Sequence, residues 1–60
     1  DFNILVRKLY DNSADFFQSQ SIPQLVLILA NYQYKHSFVA DPEINAVAML
    51  TEIMVECQFK

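Results

Sequence analysis

Five aliphatic residues in a row, Leu25 to Leu29, follow a helical start signal, and five consecutive positions on a helix face every direction around it. A helix that is apolar all round is buried all round. Sixty residues make that hard to satisfy, because a domain of this size buries only about 60% of the area its unfolded chain exposes. The demand runs along the whole chain, since 53% of the residues are apolar. The expected remedy is that copies of the chain cover each other. The self-interface is expected to centre on the middle helix, with the third helix contributing.

Three helical segments are predicted. The clearest start is Asp41-Pro42-Glu43. Asp41 can accept from the first free helical N–H groups, Pro42 fits the first helical position, and Glu43 complements the positive end of the helix dipole. The third helix should cover about residues 42–57. Val47, Leu50, Met54 and Cys57 form a seam at helical spacing, and Ala46, Met49, Ile53 and Cys57 form a second stripe beside it. Asn45, Glu52 and Glu56 make a narrow polar side, and the carboxylates Glu52 and Glu56, four apart, read as a solvated stripe. Ser21 and Gln24 match a capping box with Pro23 in the first turn, which starts the middle helix at about 22 and carries it to about 36. Residues 32–39 also alternate polar and apolar, so an extended form competes there. Helix is favoured because a lone strand would lack a partner. The first segment, about 2–18, places Phe2, Leu5, Val6, Leu9, Phe16 and Phe17 at helical spacing. Asp11-Asn12-Ser13 either breaks it, with Asn12 or Ser13 capping a new turn, or lies on the exposed side of one helix.

Composition excludes several function classes. Net charge is −3, and the basic residues are Arg7, Lys8, Lys35 and Lys60, of which only the first two adjoin. Nucleic-acid binding needs a clustered basic face, and a polybasic membrane patch needs the same. Neither contact is expected. The longest apolar run, Leu25 to Ala30, falls far short of the roughly 20 residues of a spanning helix. The chain opens on Asp1 with no signal peptide, and it reads as one domain, residues 1–60, from the C-terminal part of a larger protein. Cys57 is the only cysteine, so no internal disulfide staples the core, and the free thiol fits an intracellular setting.

Glycine is absent altogether. A phosphate-cradling loop, a dinucleotide fingerprint, a nucleophile elbow and an EF-hand all place glycine where the backbone must turn sharply. None of these is expected. His36 and Cys57 cannot supply the four ligands of a structural zinc site, and no catalytic constellation surrounds either. His36 reads as a partly exposed helix-end residue and Cys57 as a small core hydrophobe. Tyr10, Tyr32 and Tyr34 suit an interface or the rim of a core. Met49 and Met54 could line an adaptable groove or fill a core. No enzyme activity, cofactor, metal or small-molecule substrate is expected.

In length, helical pattern and the stretch YQYKHSFVADPEINAVAMLTEIMVECQFK, the chain resembles the C-terminal domain family of the budding-yeast telomere-length regulators of the Rap-interacting-factor-one type. The resemblance spans all 60 residues, and no single signature motif carries it. It implies an all-helical tetramerisation module, a nuclear, telomeric setting, and a weak contact with the telomere-binding protein Rap. It assigns no individual residue.

The sequence therefore predicts an all-α, three-helix module that forms an intertwined homo-oligomer, dimer or tetramer. Leu25, Ile28, Leu29, Val47, Leu50 and Met54 are the expected buried residues, shared between core and self-interface. The competing reading is a docking module that offers a hydrophobic groove to a partner helix.

Overall fold

A helix begins where the chain can satisfy its first free N–H groups, and the computed structural model, which describes residues 1–60, shows this at Asp41. One Asp41 carboxylate oxygen accepts from the backbone N–H of Glu43 at 3.1 Å and of Ile44 at 3.3 Å. Helix α4 follows as Pro42–Glu56. Asp1 does the same for α1, Phe2–Asp11, by accepting from the Asn3 N–H at 3.0 Å. The architecture is all-α. A short helix α2, Ser13–Phe16, follows α1, and α3, Ile22–Lys35, fills the middle of the chain.

Of the two forms open to residues 2–18, the broken one is found: α1 and α2 are separate helices. Asn12 makes the break: its side-chain amide donates to the Lys8 carbonyl at 2.9 Å, and its backbone N–H donates there at 3.1 Å. Asn12 thus consumes an acceptor that α1 leaves free at its end, and the next turn starts afresh. Residues 32–39 do not form a strand. Helix α3 continues to Lys35, and a turn closed by Phe38 N–H to Lys35 O at 3.0 Å follows.

The expected capping box at Ser21 and Gln24 is corrected. Ser21 makes no capping hydrogen bond to its own helix. A 3-10 turn, Ser19–Ser21, runs directly into α3, and the buried Ser21 hydroxyl instead accepts from the Gln58 N–H at 2.8 Å. This ties the last residues to the α2–α3 connection. Gln18 N–H donates to Gln58 O at 2.9 Å and Lys60 N–H to Phe16 O at 3.0 Å, around an isolated antiparallel bridge between Phe17 and Phe59. The two rings pack with centroids 4.7 Å apart, and Phe17 is buried.

Helix α3 is central and packs against both α1 and α4. The core comprises nine residues: Phe2 and Val6 from α1, Phe17, Leu25, Ile28 and Leu29 from α3, Met49 and Ile53 from α4, and Cys57. The Cα atoms span 33 × 20 × 14 Å. Three helices share the one core, and α3 and α4 keep apolar residues outside it, Leu27 on α3 and Val47, Leu50 and Met54 on α4.

Two substitutions separate local from tertiary contributions. Asp41→Ala removes a cap and should cost about 1 kcal/mol. Ser21→Ala removes the acceptor that holds the C-terminal tail and should also cost about 1 kcal/mol. Denaturant unfolding at matched protein concentration measures both. Hydrogen exchange should show the Ser21→Ala loss at Gln18, Gln58 and Lys60 and the Asp41→Ala loss at the start of α4.

Candidate functional site: the outer face of α4

Nearly all of the outward surface of α4 is apolar. Val47, Leu50 and Met54 recur at spacings of three and four and are 56%, 39% and 70% exposed. Ile44 and Val55 flank them and are exposed as well. Thr51, between Leu50 and Met54, turns its hydroxyl back to the Val47 carbonyl at 2.8 Å. The charged residue on the same line, Glu43, stands at its N-terminal end, four positions before Val47. Fully burying a Val, Leu or Met side chain is worth about 1.5–3 kcal/mol.

The polar side of α4 faces inward, against the expectation of a solvated stripe. Asn45 is buried, Glu52 is half-buried, and only Glu56 is exposed. Tyr32 of α3 accounts for this. Its hydroxyl donates to Glu52 Oε1 at 2.9 Å, and its carbonyl accepts from Asn45 Nδ2 at a long 3.5 Å. The Lys35 ammonium lies 5.6 Å from the centre of the Tyr32 ring. The inward apolar stripe of α4 is Ala46, Met49 and Ile53, continued by Cys57.

The six residues read from the sequence as one buried set therefore divide. Leu25, Ile28 and Leu29 lie in the subunit's own core, at 0%, 2% and 4% exposure, and Val47, Leu50 and Met54 lie on its surface. The face that α3 leaves free carries Leu27, with Val26, Ala30 and Tyr34 around it. Tyr34 packs edge-on against Phe38 with ring centroids 5.3 Å apart, which widens this second apolar area. The seam Val47–Leu50–Met54 takes no part in the subunit's own core, to which α4 contributes the stripe Ala46–Met49–Ile53.

Three other features complete the surface. A groove of about 200 Å³ between α1 and α3 is lined by Val6, Tyr10, Val26, Leu29 and Ala30, with Arg7 and Gln33 at its rim. Arg7 is paired with Asp11 at 3.1 Å in an exposed ion pair, which contributes little. His36 stacks on Phe2 with centroids 4.1 Å apart and an interplanar angle of 7°, and its enclosed Nδ1 has no hydrogen-bond partner. No three His, Cys, Asp or Glu side chains converge as metal ligands, and no helix is long and apolar enough to cross a membrane. No protein-family model, curated protein or solved structure matches the chain.

Two groups at the inner edge of α4 hold their protons unusually tightly. The hydrogen bond to Glu52, then burial and the Glu52 charge, raise Tyr32 above its ordinary value of 10.0. Burial, then the charges of Glu56 and Glu52, raise Cys57 above 9.0. A raised pKa in the folded chain gives stability that is complete below the unfolded value and is lost as pH rises through the folded one. The melting temperature should therefore hold from about pH 7 to about pH 9 and fall beyond it. Cys57→Ala should delay the onset of the fall, and Tyr32→Phe should flatten its later part. A melting temperature insensitive to alkaline pH in the unaltered protein would contradict the inward placement of both groups.

Proposed function

We propose that the chain is a homo-oligomerisation module that assembles through the outer face of α4. One observation carries this reading: α4 turns Asn45 and Glu52 inward and leaves Val47, Leu50 and Met54 in water. A solitary subunit gains from the opposite orientation, so the face makes sense when another surface covers it. The accessible surface of 4210 Å² is close to the roughly 4,000 Å² typical of a compact protein of this mass, so the exposure does not come from loose packing. More large apolar side chains lie on the surface than in the nine-residue core. A stable interface buries about 800 Å² per partner, near a fifth of that surface.

A second copy is the fitting cover because the stripe Val47–Leu50–Met54 is uncharged and meets its own image without repulsion. Packing about a two-fold axis near Leu50 would set the two α4 helices antiparallel and their dipoles head to tail. The separate apolar face of α3 around Leu27 supplies a second, distinct self-contact. Two such faces on one protomer build a tetramer with dihedral symmetry. In the setting that the family resemblance implies, the module would multimerise a larger nuclear, telomeric protein and reinforce weak contacts, such as one to the telomere-binding protein Rap. Joining sites in this way raises avidity about 10² to 10⁴-fold. No catalytic, cofactor, nucleic-acid or membrane role enters this reading. The groove between α1 and α3 favours the alternative, a docking module that accepts a partner helix.

Val47→Asp and Met54→Asp place a charge on a face that is exposed in the subunit and covered in the assembly. Burying an unpaired carboxylate costs several kcal/mol, so each should weaken association more than about 10²-fold while helix content persists. Ile28→Asp should instead unfold the subunit, because Ile28 is 2% exposed. Lys8→Ala should behave as the unaltered chain. Sedimentation and circular dichroism read both properties. A Val47→Asp chain that assembles normally would overturn the assignment. A chain that stays monomeric and tightens only with a partner helix would favour docking.

A further inference from the structure

Helix α4 carries two apolar stripes that could each serve as its inward face. Ala46, Met49 and Ile53 form one, and Val47, Leu50 and Met54 form the other. The second is larger by only two methylene-sized groups, so packing bulk discriminates weakly between them. Hydropathy favours turning the second stripe in, because Asn45, Glu52 and Glu56 would then all reach water. The structure has the other setting, with Asn45 buried and Glu52 half-buried.

A carboxylate and a carboxamide at an inner edge are costly unless hydrogen-bonded. Both find their partner in one residue of α3. The Tyr32 hydroxyl donates to Glu52 at 2.9 Å and the Tyr32 carbonyl accepts from Asn45 at 3.5 Å. The two α4 contacts are seven residues apart, on one side of the helix, so together they oppose rotation about its axis. We propose that Tyr32 is a positioning residue for assembly: its hydroxyl sets the rotation of α4 and so selects the face that α4 presents to a second copy. This rests on the self-association reading above for the identity of the partner. The rotation itself is a property of the single subunit.

Tyr32→Phe keeps the ring and removes only the hydroxyl, which leaves Glu52 at the inner edge without its donor. Two readouts follow. The first is the concentration at which sedimentation detects assembly. The second is the peroxide oxidation of Met49 and Met54, resolved by mass spectrometry on dilute, dissociated chains, since susceptibility follows exposure. In the unaltered chain Met54, 70% exposed, should oxidise well ahead of Met49, which is fully buried. Tyr32→Phe should narrow that difference sharply and raise the assembly concentration about tenfold, the equivalent of one net hydrogen bond. The double variant Tyr32→Phe/Glu52→Leu should restore both, because an apolar residue at 52 belongs at the inner edge with or without a donor. Lys8→Ala, a change at an exposed position of α1 away from both apolar faces, should alter neither.

Unchanged oxidation order and assembly in Tyr32→Phe would overturn the proposal. If Tyr32→Phe alone loses its helix content, the double variant decides: restored order supports the proposal and unrestored order overturns it. A chain that is monomeric at every concentration would end the self-association reading, and the order of methionine oxidation would still report whether Tyr32 sets the rotation of α4.

Discussion

The chain has one core, of nine residues, and three helices compete for it. Helix α3 lies between α1 and α4 and contributes Leu25, Ile28 and Leu29 to it. Once those three are inside, Leu27 and Val26 must be outside, because successive helical positions diverge. Helix α4 meets the same limit. It can bury one stripe, and the second remains on the surface. The excess of apolar side chains over interior space is a matter of geometry, and it leaves two helices with exposed apolar faces.

The hydrogen bond between Tyr32 and Glu52 is the specific interaction on which the placement of those faces turns. It gives an acidic side chain a reason to remain at the seam between α3 and α4. With Asn45 and Glu52 inward, the apolar side of α4 points to solvent. A hydrogen bond of this kind has a modest net effect on stability, about 1.5–3 kcal/mol when one partner is charged. Its consequence for surface character is larger, because it determines where Val47, Leu50 and Met54 point.

The C-terminal residues add a different constraint. Gln58 binds the Ser21 hydroxyl and the Gln18 backbone, and Phe59 covers Phe17. These contacts join sequence-distant segments without a disulfide or metal. They hold Cys57 inside the core, where its thiol acts as a small apolar group and its proton is retained. The tail thus packs on the segment between α2 and α3.

Local chemistry made much of this legible in the sequence. The all-α class and the starts of α3 and α4 follow from helical periodicity and from Asp41-Pro42-Glu43, whose capping atoms lie within a few residues of one another. The apolar excess follows from composition and chain length alone. Other features depended on residues far apart in the chain. Ser21 reads as a helix cap, yet its hydroxyl is taken by Gln58, a competitor 37 positions away that no local pattern contains. The break at Asn12 is by contrast local, since its amide reaches the Lys8 carbonyl four residues back, and the sequence offered it as one of two readings. The orientation of α4 was beyond the sequence for the same reason as the Ser21 contact. Periodicity showed two apolar stripes and one polar one, and hydropathy prefers the polar stripe outside. Only the tertiary position of Tyr32, 20 residues from Glu52, made the inward setting favourable.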